Sequence, residues 1–502
     1  MALEALLGFD LPPLALVVAA LFAILVVRSW VQTPGNLPPF PARPFPILGH
    51  LPYLGAATRD KLLELRKRTD EIFSLYLGGT LVIFLSGYDV MREALVKQAE
   101  YFTDRPLGGP SSLLLIQNGI VGASGSIWKE NRTAVVQILK EFGVGRDIMS
   151  QKITEEIQLY LAHLEGLAGK ASDVREITTC AVTNITCNIL IGKRFAYDDS
   201  AFMELLHQLG EFMSLIEGGA MHQFFPQLQY LPGDLFNAKT LLKLDAEIMD
   251  KMAGFIKNTT GEGEDGEGNH SNLISAYIDK MNAKQSAGQN TVLSMKELER
   301  VAFDMMIGGS ETSASTLLWF YLYMVHFPDI QEKFYQEIVT EIGTSKTPTG
   351  QDKVKLSYVN AVILETQRLA SISPLAVTHR CTKETTVRGY TIPKDVIVIL
   401  HLDSVMWDEN IWDDAMNFKP ERFLKDGKLF CPDHFVAFGM GRRSCPGESL
   451  AKMELFLFTV SLIQRFRIVP ADPNCLPPRT YIKGATCPPT PFSVRFIERD
   501  TK

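Results

Sequence analysis

Cys445 is the residue of this chain best suited to metal chemistry. It lies in Phe438-Gly-Met-Gly441-Arg-Arg443-Ser-Cys445-Pro-Gly447, directly before an apolar helical run from Glu448 to Phe466. A thiolate there sits at a helix N-terminus, where unpaired amides and the helix dipole favour negative charge. Arg442 and Arg443 add fixed positive charge, and the glycines at 439, 441 and 447 let the backbone approach something bulky and flat. Pro446 donates no hydrogen bond, so the sulfur must rely on amides such as those of Gly447 and Glu448. An iron-ligating cysteine is built this way.

A second element, Gly308-Gly309-Ser310-Glu311-Thr312-Ser313, interrupts an apolar helix predicted over 296–325. Each glycine costs about 1 kcal/mol relative to alanine in a helix interior. Freed carbonyls, a local bulge and a water-filled notch would explain that cost. Glu311 beside Thr312 pairs an acid with an alcohol, which can relay protons. A third element, Glu365-Thr-Gln-Arg368, puts a carboxylate and a guanidinium on one helical face, and Pro420-Glu-Arg422-Phe follows 52 residues after Arg368.

The spacing Phe438-x-x-Gly441-x-Arg443-x-Cys445-x-Gly447 resembles the heme-binding signature of the cytochrome P450 superfamily. The resemblance spans essentially the whole chain and points to the animal microsomal branch with drug-, steroid- and fatty-acid-hydroxylating members. It implies a mainly α fold with a minor β portion, the P450 triangular prism, behind an N-terminal transmembrane anchor helix. It also implies heme b with Cys445 as the axial thiolate and sole metal ligand from the protein. Thr312 would then hydrogen-bond the bound dioxygen, Glu311 would connect the proton supply, and Gly308 would leave room above the heme. Glu365, Arg368 and Arg422 would hold the loop that carries Cys445.

The propionates of such a heme need cations and donors. Trp128 and Arg132 resemble the propionate-binding motif of an early helix, and Arg105, His379 and Arg443 match the remaining partners. Arg380 stands where a small or apolar residue is more usual, leaving open a second cation or a solvent-facing side chain. Asp304 interrupts an apolar stretch of the distal helix, and a hydrogen bond to the loop above it is expected in preference to a substrate contact.

The rest of the chain fits this role. With 502 residues, 46% hydrophobic and 21% charged, it is globular and slightly apolar. A net charge of −7 disfavours nucleic acid as a partner. Seven cysteines without paired metal-ligand spacing exclude a disulfide scaffold and fit a reducing compartment. Leu11 to Val27 carries no charge and is closed by Arg28. That predicts a membrane anchor at 1–33 with the body cytosolic, at the endoplasmic reticulum. A proline-rich strap at 34–50 and a heme-thiolate catalytic domain at 51–502 complete the predicted organisation. The sequons at Asn131, Asn184, Asn258 and Asn269 are read as unmodified.

Helical patterning places helices at 59–68, 150–167, 201–216, 239–258, 272–284, 296–325, 329–342, 356–370 and 448–466. Strands are predicted at Leu81 to Leu85 and Val396 to Leu400, and a loop at Thr259 to Asn272. No flavin or dinucleotide fingerprint appears, so electrons must come from outside. The resemblance implies NADPH–cytochrome P450 reductase, with cytochrome b5 as a further candidate, docking on a basic face of Lys129, Arg422, Arg442 and Lys452. The implied reaction inserts one oxygen atom from O2 into a lipophilic small molecule, be it fatty acid, steroid or xenobiotic. The competing readings are a heme-thiolate isomerase or dehydratase of lipid peroxides and a non-catalytic heme-binding protein.

Overall fold

The computed structural model describes residues 35–55, 58–106, 118–143, 147–219, 224–225, 232–234, 237–261 and 272–499. Its helices of ten residues or more are α1 Thr58–Lys67, α2 Gly125–Glu141, α3 Asp147–Gly166, α4 Arg175–Ile191, α5 Ser200–Gly219, α6 Ala238–Gly261, α7 Leu273–Ser286, α8 Met295–His326, α9 Pro328–Glu341, α10 Ser357–Ala370 and α11 Glu448–Arg465. Nine of these match the patterned segments closely. The anchor at 11–27 lies outside the described residues. Among those described, no helix is long and apolar enough to cross a membrane.

Local chemistry fixes the helix ends. Ser294 accepts from the Glu297 amide at 3.2 Å, and Asn272 accepts from the Ser275 amide at 3.0 Å, each satisfying an otherwise unpaired donor. Pro328 opens α9 where its missing N–H costs nothing. The loop expected from Thr259 begins later, because α6 continues to Gly261, and Asn272 already caps α7.

The strands are short: β1 Ile72–Leu77, β2 Thr80–Leu85, β3 His379–Arg380, β4 Thr385–Val387, β5 Tyr390–Ile392, β6 Ile397–Leu400, β7 Leu424–Lys425, β8 Lys428–Leu429, β9 Phe466–Pro470 and β10 Val494–Glu498. The main sheet runs β1-β2-β6-β3. There β2 pairs in parallel with β6, Val82 opposite Ile397, and β3 pairs antiparallel, His379 opposite Val398. This register turns the β3 histidine inward, leaving it 3% exposed.

The core gathers around α8, about 48 Å long at 1.5 Å per residue. From Ser313 to Val325 every residue of α8 is buried. Its partner α4 is buried on nearly every side, from Thr178 to Ile191. Gly309 permits their close approach, since a Cβ there would lie 2.5 Å from Thr186 Oγ1. α8 also meets α11 through Ser313, whose hydroxyl donates to Glu454 at 2.7 Å.

Glu454 is fully enclosed, and its second oxygen is buried without a partner among the described residues. Burial pushes its acid up to about 8, from a free value of 4.5. The folded chain therefore holds a proton on Glu454 that the unfolded chain releases above pH 4.5. Stability from this group is full below that pH and is lost as pH rises to 8. Glu454→Gln, neutral at all pH, should flatten that decline. The parent-minus-variant unfolding free energy should fall by on the order of 2–4 kcal/mol between pH 5 and pH 8. Denaturant melts at both pH values measure it, and parallel pH slopes would show that Glu454 is charged when folded.

Two sequons are explained by the same core. Asn131 is buried and donates to Glu297 at 2.8 Å, and Asn184 is buried and donates to the Phe195 carbonyl at 2.9 Å. Neither amide is available for a glycan.

Candidate active site

The loop before α11 folds back tightly onto itself. The Cys445 amide donates to the Phe438 carbonyl at 2.9 Å, closing the signature segment into a ring. Gly441 has φ +73°, and a Cβ there would run into the Leu95 carbonyl, so only glycine fits. The amides of Gly447 and Glu448, the two donors expected beyond Pro446, both act on the Cys445 sulfur. Burial pushes the thiol up, while these amides and Arg132 pull it down.

Beside this sulfur lies a cluster of cations. Arg132 Nη2 donates to the Ser444 carbonyl at 2.7 Å. Arg105, 5% exposed, donates to the carbonyls of Val121, Val377 and Thr378 at 2.8–3.0 Å. Arg443 donates to those of Thr103 at 2.7 Å, Ile120 at 3.0 Å and Ala123 at 2.5 Å, and stacks 4.1 Å over the Trp128 ring. His379 Nδ1 faces the Phe102 carbonyl at 2.6 Å. None of the three arginines forms an ion pair among the described residues. Desolvation and then Arg132 push Arg105 down to about 9, and desolvation and then Arg105 push Arg443 down to about 8. His379 is pushed well below its ordinary value by desolvation and by Arg105. Such a cluster is short of negative charge.

The distal segment departs from expectation. α8 is continuous α-helix from Met295 to His326, without a bulge. The Gly308 carbonyl is not free, because Thr312 Oγ1 donates to it at 2.7 Å. A Cβ on Gly308 would meet nothing within 4 Å, so the space beside it is open. Glu311 points elsewhere, into a cavity of about 670 Å³ that it shares with Arg175, Ser214, Ser315 and Thr486. Burial pushes its acid up, opposed by hydrogen bonds from Ser315 and Thr486 and by the charge of Arg175.

Asp304 accepts from the amides of Ile120 at 2.7 Å and Val121 at 2.9 Å, the expected tie to the loop above. Glu297, a position that sequence reasoning passed over, does the same for Gly119 at 2.8 Å. Their seven-residue spacing on one face of α8 was the available signal. Residues 107–117, which precede the loop held by these two carboxylates, lie outside the described residues.

Glu365 receives Arg368 Nε at 2.7 Å and Nη2 at 2.8 Å, Arg422 Nε at 3.1 Å and the Lys419 amide at 2.8 Å. Arg422 also donates to the carbonyls of Asp413, Asp414 and Asn417. The network thus grips 413–422 directly and reaches the cysteine loop one layer later, where Phe423 meets Phe435 edge-on at 5.6 Å. With its side chain 7% exposed, Arg422 cannot belong to a docking face. Lys129 and Arg442 are exposed, whereas Lys452 pairs with Glu448 at 2.6 Å. Arg380 is engaged by Asp395 at 2.7 Å and Asp104 at 3.1 Å, so it is not a spare cation for the site.

The family model for cytochrome P450 matches residues 38–496. The chain belongs to the cytochrome P450 family. It is 35% identical over 442 residues to cytochrome P450 2U1 of Homo sapiens, covering 87% of this chain and 80% of the relative. It is 32% identical over 499 residues to cytochrome P450 2B2 of Rattus norvegicus, covering 97% and 100%. It is 34% identical over 470 residues to cytochrome P450 2F2 of Mus musculus, covering 92% and 94%. A P450 is a monooxygenase whose heme is held by a cysteine thiolate. The residues of this P450 fit that group: among the described residues the three arginines form no ion pair and buried Trp128 Nε1 has no acceptor, and the backbone at Gly308 leaves open space.

Proposed function

We propose that this P450 inserts one oxygen atom from O2 into a lipophilic small molecule, a fatty acid, steroid or xenobiotic, with electrons from an NADPH-dependent reductase. The observation that carries the reading is the cluster of Arg105, Arg132 and Arg443 beside the Cys445 sulfur, none of them in an ion pair among the described residues. Cys445 would ligate the heme iron. Trp128 Nε1, Arg105, Arg132, His379 and Arg443 would hold the two propionates. Bound there, heme supplies the binding and reductive activation of O2. The protein supplies protons: Glu311 takes them from its cavity and passes them to Thr312 Oγ1, which would release the Gly308 carbonyl to donate inward.

Val301 and Met305 of α8 and Leu375 beside β3 give the distal side an apolar character suited to a lipophilic substrate. Phe45, Ile47 and Leu48, each about half exposed, follow directly on the anchor segment 1–33. That placement supports a strap at 34–50 lying against the endoplasmic reticulum membrane, ahead of a cytosolic catalytic domain at 51–502. The exposed Lys129 and Arg442 remain as the core of a docking face for an acidic reductase or cytochrome b5.

The deciding measurement is a carbon-monoxide difference spectrum of the reduced protein. The parent should show the red-shifted thiolate Soret band, and Cys445→Ser should abolish it. A parent without the band, or a variant that keeps it, overturns the assignment of Cys445.

A further inference from the structure

Glu311 and Arg175 line one cavity of about 670 Å³, and the Arg175 guanidinium keeps one donor without a partner among the described residues. Arg175 stands in the first turn of α4, where its Nη2 donates to the Pro489 carbonyl at 2.6 Å. That bond pins the guanidinium between α4 and the C-terminal loop. Its Nε–H is buried with no acceptor among the described residues. The Glu311 carboxyl is held by a long bond from Ser315 Oγ at 3.3 Å and by Thr486. The cavity is roomy enough for several waters, which can join the exposed part of the Arg175 guanidinium to the carboxyl.

We propose that Arg175 is a positioning residue of the proton path, its pinned guanidinium holding the Glu311 carboxyl, through cavity water, at the inner end of this cavity. The inference rests on the Glu311–Thr312 relay proposed above. Charged and titratable groups face Glu311 from every wall: Asp173 and Glu176 beside Arg175, His207 and Glu211 on α5, and Lys483 on the C-terminal loop. Arg175 is the one whose charge bears on Glu311. A buried carboxyl left to desolvation alone holds its proton too tightly to pass it on, and a fixed cation beside it opposes that.

The consequence is a pH profile. The heme-loaded full chain, reconstituted with an NADPH-dependent reductase, is assayed for hydrogen peroxide released per NADPH oxidised, a readout that needs no identified substrate. When proton delivery succeeds, two NADPH and two protons reduce O2 to two waters; when it fails, one NADPH and one proton yield one peroxide. Arg175→Gln should move the pH dependence of this ratio to the alkaline side, changing the ratio roughly threefold or more on its steep limb. Arg175→Lys, which keeps the charge, should restore the parent profile. Thr179→Lys, which adds a cation one turn further along the same wall, should move the profile to the acid side with the Arg175 side chain kept, at the loss of one bond from Thr179 Oγ1 to the Arg175 carbonyl. A profile unmoved in R175Q and T179K overturns the inference. Glu311→Gln separates the two levels. If E311Q raises peroxide release while R175Q changes nothing, the relay stands and the role of Arg175 falls. If E311Q leaves the ratio at the parent value, the relay itself is wrong.

Discussion

Glu365→Ala should yield protein that folds poorly and purifies with little heme. Glu365 and Arg368 are both 0% exposed, and four hydrogen bonds converge on the one carboxylate. Truncation to alanine leaves the Arg368 guanidinium buried without its counter-charge, and Arg422 loses the same partner. Removing one member of a buried pair costs roughly 3–5 kcal/mol, because the other stays desolvated. That is a large part of the 5–15 kcal/mol typical of a native protein. The loss is felt first at 413–422, then through Phe423 and Phe435 in the segment leading to Cys445. Heme-to-protein ratio and thermal midpoint are the measurements. Glu365→Gln should be nearly as damaging, since it loses the charge and turns one of the two accepting oxygens into a donor that faces the guanidinium donors. A fully heme-loaded E365A with an unchanged midpoint would show that the network is dispensable.

Thr312→Ala should leave the fold intact and damage the chemistry. In the structure the hydroxyl makes one intrahelical bond, to the Gly308 carbonyl, and losing it costs about 1 kcal/mol. Heme content and the carbon-monoxide spectrum should therefore match the parent. The same hydroxyl is the proposed last donor to the space beside Gly308. Without it, NADPH oxidation should continue within a fewfold, while product per NADPH falls by about tenfold or more and peroxide release rises. Parent-like coupling in T312A would remove Thr312 from the relay.

Legibility differed from one part of the molecule to another for physical reasons. The Cys445 loop was readable because its geometry is local: a ring closed by Cys445 and Phe438, with glycine required at 441, constrains residues at fixed spacing. The long helices were readable because most bury one face and leave the other polar. α4 escaped notice because it is buried around its whole circumference, so it shows no 3.6-residue alternation. Arg422 was expected both beside Glu365 and on a docking face, and only the first place holds, because its side chain is buried against that carboxylate. The orientation of Glu311 could not be read at all. Its surroundings come from the first turn of α4 and from the loop near Thr486, each more than a hundred residues away. The continuous helix at Gly308 has a simpler cause: the Thr312 hydroxyl occupies the carbonyl that a bulge would have exposed.

The contact between Gly309 and Thr186 reaches further than close packing. Successive residues of an α-helix stand about 100° apart around its axis. A glycine seated against a neighbour's side chain therefore acts as a key in a slot, locking the rotational phase of α8. With that phase locked, Gly308 and Thr312, one turn apart, must face the open space, and Glu311, about 100° round the axis from Thr312, must face the neighbouring cavity. The division of labour between the two sides of the helix is thus decided on its back, at an interface that neither oxygen nor substrate touches.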